Sequence, residues 1–425
     1  MRRAMGSDDR HKLAGARPAR LLVTALLAFE GALGLCTAYL IALALAAADA
    51  LRTAPQEGLG EEEPTSLAPR MVVLIPAHDE ELGIGATLAS LERASYPRQR
   101  LRVVVIADNC SDRTADRARA TGVEVWERVD LDRRGKGCAL AWAISLLQAE
   151  EGQFDAVVVL DADCLVSPNM LSAIGAELRA GANVVQVSYE VANPGDSYAS
   201  ALRFAAFALM DRVRPLGKQR LGLSCGLFGT GMAFRRELLQ RVPWTAIGLT
   251  EDGEYHLRLV AAGERVRFLQ HAWVRSPMPT SLAGSADQQA RWEQGKLDLI
   301  RGWTLKLLAT GVARRDIVRA HAGLEHLVPP QSLLVAGSVG SSIAGVLLGS
   351  RRLRVLAAAT LAGQLAFVLS GLRLVRAPLR VYLALLAAPL LVLSKLVLYA
   401  RLLARRGPST WVRTEREATP MRATR

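Results

Sequence analysis

Three short apolar runs each end in acid, and carboxylates at strand ends are what a nucleotide and a divalent cation require. Met71-Val72-Val73-Leu74-Ile75 runs through Pro76 into His78-Asp79-Glu80-Glu81. Val103-Val104-Val105-Ile106 runs into Asp108-Asn109-Cys110-Ser111-Asp112, and Ala156-Val157-Val158-Val159-Leu160 into Asp161-Ala162-Asp163. Two carboxylates at i and i+2 beyond a strand can approach one hard cation, and Mg or Mn bridging a diphosphate needs only one or two of them from the protein. A strand-end turn with a helix-capping acid would read the same way. Asp108 can accept from a base or ribose, while Ser111 or Asp112 can cap a helix over residues 113–120. Lys136, in Arg133-Arg134-Gly135-Lys136-Gly137, opens a helical stretch to Glu150, where an ammonium and a helix N-terminus could meet phosphate. A solvated charge run is the plainer alternative.

Further along, Thr250-Glu251-Asp252 follows Gly248 and starts a helical stretch over 252–262. Acids there suit the helix dipole; they also suit a general base that strips the proton from an attacking hydroxyl. Gln288-Gln289-Ala290-Arg291-Trp292 lies on a helical pattern over 281–308, where positions 288, 291 and 292 share a face. Arg matches phosphate oxygens bidentately and Trp offers a flat surface to a sugar ring, although a Trp and Arg belt at a membrane interface has the same composition.

These residues need strands to present them. Apolar runs alternating with helical patterns predict an α/β fold with a mostly parallel sheet, whose ligands lie outside the carboxyl ends of the strands. The flanks are different in kind. Residues 21–48 form a run of 28 whose only charge is Glu30, about 42 Å of helix and enough for one bilayer crossing. The run is too long for a signal-peptide core. The predicted organisation is a basic tail (1–20), a transmembrane anchor (21–48), a polar linker (49–69), a catalytic domain ending in an interfacial helix (70–308), three spans at 332–350, 355–372 and 381–403 within 327–403, and a basic tail (404–425). Lys395, inside the last span, must face protein or snorkel.

The chain has 425 residues, 51% of them hydrophobic, and a net charge of +13. Six Lys/Arg stand against two Asp in residues 1–20, six Arg against no acid in 351–380, and seven Arg against two Glu in 401–425. The excess therefore flanks apolar segments, where it meets lipid headgroups. A nucleic-acid footprint would lie on the folded domain, and a disordered or collagen-like chain would lack this apolar content. The five cysteines form no CxxC pair and read as reduced core residues.

Taken together and in order, the motifs resemble the membrane-bound family 2 glycosyltransferases with a GT-A (Rossmann-like) domain, the group of cellulose, chitin and hyaluronan synthases and ceramide glucosyltransferase. The likeness runs from Arg70 to about Trp303. It includes Ile75-Pro76-Ala77-His78-Asp79-Glu80, Asp108 with Asp112, Asp161-Ala162-Asp163, Gly229-Thr230-Gly231 with Phe234-Arg235-Arg236, Thr250-Glu251-Asp252 and Gln288-x-x-Arg291-Trp292, with a tail Trp411-x-x-Thr414-x-Arg416. Two departures touch donor recognition: His78-Asp79-Glu80 replaces the usual Tyr-Asn-Glu, and Ala107-Asp108 the usual Asp-Asp.

The resemblance implies that Asp79, Glu80 and Asp108 hold the nucleoside, and that Asp161 and Asp163 hold the donor diphosphate and a Mg or Mn ion, with Lys136 on the donor side. It makes Asp252 the base of an inverting displacement, beside Glu251. Gln288, Arg291 and Trp292 would bind the diphosphate and line the acceptor path, and Gly229, Thr230 and Gly231 would shape the acceptor pocket. The expected protein is a multi-pass enzyme of the inner (plasma) membrane that moves a sugar, most simply from a UDP-sugar, to a polysaccharide or lipid-linked acceptor, with an export partner for a polymer. Its catalytic domain belongs in the cytoplasm with the donor. Six basic residues in 1–20 against two in 49–70 place the N-terminus there as well. The donor chemistry favours an external N-terminus; a bend near Gly31 and Gly34 that returns the chain, or a start codon assigned too early, would also remove the conflict. A catalytically silent membrane protein that binds a nucleotide or a partner would have no need of acids at 161, 163 and 252 together. A nucleotidyltransferase would carry a Gly-rich phosphate loop after the first strand, which residues 76–80 are not.

Overall fold

A computed structural model describes residues 7–53, 68–150, 154–281 and 286–404. The Trp411 tail motif and most of the 49–69 linker lie outside the described residues. A long helix α1 (Ser7–Thr53) leads into β1 (Met71–Ala77), α2 (Ile84–Glu92), β2 (Leu101–Asp108), α3 (Thr114–Arg119), β3 (Glu124–Arg128), α4 (Lys136–Ala149), β4 (Ala156–Val159), β5 (Leu165–Val166) and α5 (Met170–Arg179). The domain continues with β6 (Val184–Val191), α6 (Tyr198–Phe207), α7 (Arg214–Arg220), β7 (Met232–Arg235), α8 (Arg236–Arg241), α9 (Glu251–Ala261) and β8 (Arg267–Ser276).

The eight strands form one sheet in the order β3-β2-β1-β4-β7-β6-β8-β5. β2 lies parallel to β1 and β3, β4 to β1, and β8 to β6, while β7 runs antiparallel to both β4 and β6, and β5 antiparallel to β8. The expected mostly parallel sheet is therefore present, with a reversal at β7 that builds the site. Because Met232 at the start of β7 pairs with Val159 at the end of β4, the turn at residues 229–231 meets Asp161.

Both faces of the sheet are covered, which is why its strands are apolar without alternation. Val73, Ile75, Val105 and Val158 pack with Ile84, Leu88, Met170 and Ile174 from α2 and α5. Val72, Leu74, Val104, Ile106, Val157 and Val159 pack on the other face with Leu140, Ile144 and Leu147 of α4. Each fully buried aliphatic side chain contributes roughly 1.5–3 kcal/mol before entropy is set against it. The Ser167 hydroxyl accepts the Trp273 N–H at 3.0 Å, tying the loop after β5 to β8.

The helical pattern over 281–308 also resolves differently. α10 (Ala286–Leu299) gives way to a π-helical turn, Ile300–Thr304, before α11 (Leu305–Arg314) and α12 (Ile317–Glu325). Then come α13 (Gln331–Leu347), α14 (Arg351–Leu374), α15 (Leu379–Ala384) and α16 (Ala388–Ala404). Among the described residues three helical segments are long and apolar enough to cross a membrane: Arg20–Thr53, Arg351–Leu374 and Leu379–Leu402. The predicted span at 332–350 is shorter than expected: α13 has 17 residues, about 25 Å against a hydrocarbon core of about 30 Å. The last segment is interrupted by a 3₁₀ turn at Leu385–Ala387, where Pro389 removes a helical donor and crowds the carbonyl four residues back.

α1 is continuous through Gly31 and Gly34, so the bend that would return the chain is absent. Glu30 is fully buried: its carboxylate accepts from Ser338 of α13 at 2.8 Å, and Gln364 of α14 donates to the same hydroxyl at 3.3 Å. Leu33, Leu40, Ala44 and Ala47 of α1 pack on Leu216 of α7 as well as on Leu334 and Phe367 of α13 and α14, so one helix joins the catalytic domain to the apolar bundle. The closest approach is at Gly217, where an added Cβ would collide with the Leu43 carbonyl and stand 2.9 Å from its Cα. Gly217→Val should therefore destabilise the α1–α7 contact by about 1–3 kcal/mol, seen as a lower thermal midpoint of the detergent-solubilised protein. An unchanged midpoint would mean that the contact is not rigid.

Candidate active site

The loops after β1 and β2 are laced together. Asp79 sits in the left-handed region at φ 54° and Asn109 at φ 51°. Asp79 Oδ1 accepts the Ser111 and Asp112 N–H groups at 2.6 and 3.2 Å. Burial alone would raise the Asp79 pKa, but these bonds from Ser111 and Asp112 hold it below the ordinary carboxylate value. Asp112 in turn accepts from Glu81 N at 3.0 Å and Thr114 N at 2.8 Å, and Glu80 N donates to Thr114 Oγ1 at 2.7 Å. Asp79, Cys110 and Asp112 lie within 4.8 Å of one another, yet both carboxylates are spent on backbone donors. The cluster fixes a loop and is a poor cation cage.

Asp108 carries a partner that motif reading missed. Arg128 Nη1 lies 2.6 Å from its Oδ1, with both side chains almost fully buried, and Arg128 Nη2 continues to Asp130 at 2.8 Å and to the Arg133 carbonyl at 2.8 Å. Asp108 and Arg128 are register partners on β2 and β3. The only signal in the sequence is that a buried carboxylate needs a cation.

At the centre is Lys136, the first residue of α4. Its Nζ lies 2.5 Å from Asp161 Oδ1, 2.6 Å from the Gly229 carbonyl and 3.6 Å from Glu251 Oε1. Burial pulls the ammonium pKa down, but the carboxylates of Asp161 and Glu251 outweigh it, and Lys136 stays firmly charged. Gly137 allows α4 this close to the loop before α9, since a Cβ there would stand 2.5 Å from the Ala246 carbonyl. Gly229 adopts φ 83°, and a Cβ on it would stand 3.3 Å from Lys136 Nζ and 3.5 Å from Asp252 Oδ2. Asp252 Oδ1 accepts the Gly253 N–H at 2.7 Å. Burial, strengthened by the neighbouring carboxylates, raises the pKa of both Glu251 and Asp252 against the pull of Lys136.

Thr230 is fully buried and its hydroxyl accepts the Asp161 N–H at 3.1 Å. It thus positions Asp161 from within the turn that the sequence expectation assigns to the acceptor. Gly231, at φ 66°, would collide with Val187 if it carried a Cβ, so it lets the turn pack closely on β6. The turn is clamped by Gln186, fully buried in mid-strand, whose amide donates to Thr230 O at 2.8 Å and accepts from Phe228 N at 3.0 Å. A lone amide in the apolar run of β6 was the available signal.

Asp161, Asp163 and Cys164 also bring ligand atoms within 4.8 Å of one another. The Cys164 thiol is buried, lies 2.8 Å from the Ser276 hydroxyl and has its pKa raised by burial, so it stays neutral. Two carboxylates remain, which fit a hard divalent cation that keeps water or diphosphate oxygens in its other positions.

α10 closes the site. Gly295 packs on Thr250, whose Oγ1 would stand 2.6 Å from an added Cβ. Arg291, one turn earlier, shares that face. Gln288 Oε1 is buried with no hydrogen-bond partner among the described residues. Trp292, 37% exposed, rests on Phe207 with ring centroids 6.1 Å apart. Glu293, the next residue, pairs with Lys395 of α16 at 2.8 Å and bonds the Tyr399 hydroxyl. Lys395 therefore faces protein, and its partner holds the Gln288 to Trp292 segment against the apolar bundle.

The sequence is similar to the probable glycosyltransferase YdaM of Bacillus subtilis, 27% identical over 256 residues that span 57% of each chain. It is also similar to a beta-monoglucosyldiacylglycerol synthase of Trichormus variabilis, 26% identical over 324 residues, covering 69% of this chain and 67% of that one. Among solved structures, the mannosyltransferase PcManGT from Pyrobaculum calidifontis, in complex with GDP-Man and Mn2+, aligns over 81% of this chain and 97% of its own with a TM-score of 0.48 and 20% identity. A family model described as glycosyltransferase like family 2 matches residues 69–295. That match runs over more than half of the chain, from just before β1 into α10, and shows that the protein belongs to glycosyltransferase family 2.

Proposed function

We propose that this protein is a membrane-bound inverting glycosyltransferase that moves a hexose from a nucleotide-sugar, most simply a UDP-sugar, to a lipid-linked acceptor. The observation that carries this reading is the contact of Lys136 with Asp161 on one side and Glu251 on the other, with Asp252 against the same glycine. One cation joins the strand end suited to a diphosphate and the helix start suited to a base.

In this reading Asp252 Oδ2, the oxygen not held by Gly253, takes the proton of the acceptor hydroxyl. The acceptor oxygen then bonds to the anomeric carbon as the bond to the diphosphate breaks on the opposite face, and the configuration inverts. The leaving group departs with the negative charge, which Lys136 helps to balance. A divalent cation held by Asp161 and Asp163 would neutralise the rest when bound. Arg291, on the face of α10 turned to Thr250, is placed to meet phosphate oxygens, and Asp79 and Asp108 frame the nucleoside side. A lipid acceptor is favoured over a polymer by the Glu293–Lys395 pair, which holds α10 against a membrane-length helix, and by the similarity to a glycolipid synthase. The donor then requires a cytoplasmic catalytic domain on a multi-pass protein of the plasma membrane, with the N-terminus outside.

The test is transfer by the purified protein in detergent with membrane lipid, offered UDP-, GDP- and TDP-sugars with Mg or Mn. Metal-dependent release of nucleoside diphosphate from one donor, with a glycolipid product, is the expected result. Binding of a donor that is never turned over under any of these conditions would favour the silent nucleotide-binding protein. Chelation should abolish transfer and added Mn or Mg restore it. Asp163→Asn should weaken metal affinity by about tenfold or more, read from the metal dependence of the rate.

A further inference from the structure

One carboxyl beside the site has no role in the mechanism above. Asp211 lies in the π-helical turn Ala208–Val213 that separates α6 from α7. A π turn inserts an extra residue into a helix and re-aims the side chains around it, and such turns recur at functional sites. Four residues earlier Phe207 packs on Tyr189 of β6, at 5.3 Å between ring centroids, and on Trp292 of α10 at 6.1 Å. This face of the helix therefore looks into the crevice between the sheet and α10.

Asp211 forms no hydrogen bond or ion pair among the described residues and is only partly exposed. The charged groups that act on it are Arg214 and Lys218 on α7 and Asp252 on α9. Both cations are already engaged by Glu325, at 2.8 and 3.0 Å, so neither supplies Asp211 with a partner. Burial pushes its pKa up to about 8 against the pull of Arg214, with Asp252 adding to the rise. At neutral pH the carboxyl thus carries a proton that it can donate.

Resting on the transferase reading, we propose that Asp211 is an acceptor-binding residue. It hydrogen-bonds a second hydroxyl of the acceptor while Asp252 addresses the first, against the aromatic shelf of Phe207 and Trp292. Asp252, ionised as the base, then stands beside the acceptor together with the protonated Asp211, and an anionic headgroup is repelled by Asp252. The acceptor class is a neutral polyol head.

The experiment measures transfer by the full-length protein in mixed micelles, with glucosyl-diacylglycerol as a neutral polyol lipid and phosphatidylglycerol as its anionic counterpart. Asp211→Ala should raise the KM for the neutral acceptor by about tenfold, the worth of one lost hydrogen bond to a buried group. The affinity for nucleoside diphosphate, read by calorimetry, should not move. Asp211→Asn, whose amide can still donate, should recover part of the loss, which separates a binding role from misfolding. An unchanged acceptor KM in Asp211→Ala, an equal loss of nucleotide affinity, or preference of the parent protein for phosphatidylglycerol would overturn the proposal. Failure of the transferase reading is seen separately, as a parent protein that binds a donor but turns none over with either acceptor.

Discussion

Asp252→Asn is expected to lower sugar transfer by a hundredfold to about ten-thousandfold, the usual worth of a positioned general base, while nucleotide affinity is retained. The amide keeps the side chain's shape and can still accept from Gly253 N–H, so α9 should start as before. What it loses is the basic oxygen against Gly229. The proposed reading gives this role to Asp252 because its raised pKa makes it a stronger base than an exposed carboxylate, and because Lys136 favours the ionised form. Glu251 differs in geometry: its carboxylate lies 3.6 Å from Lys136 Nζ and is better placed to hold that ammonium. Glu251→Gln should therefore reduce transfer less than Asp252→Asn. Steady-state rates with saturating donor, beside calorimetric nucleotide binding, decide the matter, and equal rates for Asp252→Asn and the parent would remove Asp252 from catalysis.

The second large effect concerns stability. Glu325 of α12 is met by Arg214 at 2.8 Å and by Lys218 at 3.0 and 3.1 Å, beneath α1, whose Tyr39 hydroxyl lies 3.0 Å from His321 Nε2. Burial would raise the Glu325 pKa, yet Lys218 and Arg214 hold it well below the usual 4.5. Glu325→Gln leaves two enclosed cations without a counter-charge, and losing one partner of a buried pair costs about 3–5 kcal/mol. An exposed pair such as Arg52 with Asp49 contributes about 1 kcal/mol or less.

The same cluster sets a pH response. Burial pushes His256 down to about 3 and His321 to about 4, from 6.5. Below pH 6.5 the unfolded chain takes up protons that these folded imidazoles refuse, so stability falls as the pH drops. At pH 5 the loss is roughly 2 kcal/mol for His256 and less for the more exposed His321. Glu325 adds its own loss only below about 4.5, because its stabilisation is complete above that value. Thermal unfolding in lipid nanodiscs at pH 7.5 and 5 should show the midpoint falling on acidification, and His256→Gln should flatten the slope. A midpoint that held or rose would refute the assignment of neutral, enclosed histidines.

Much of the architecture was legible because its signals are local. Val72 to Ile75 and Val157 to Leu160 are valine-rich apolar runs that a doubly covered sheet needs, and acids follow each within four residues. Lys136 and Glu251 stand at helix starts that their neighbours announce. Boundaries suffered where tertiary contacts overrode periodicity: residues 300–304 relax into a π turn, and α13 stops short of a full span.

The sequence by itself determined the strand ends, their acids and the membrane-length helices, since spacing and hydropathy act over a few residues and need no partner. Only the tertiary structure decided what those acids do. Lys136 reaches Gly229 across 93 positions, Glu293 finds Lys395 across 102, and Glu30 finds Ser338 across 308. The reversal of β7 makes Thr230 a support for Asp161, and the π turn before α7 leaves Asp211 without a hydrogen bond or ion pair among the described residues. Burying a charge is costly unless another is brought to it, and which other one arrives is set by how the elements pack, a relation that no local window of residues contains.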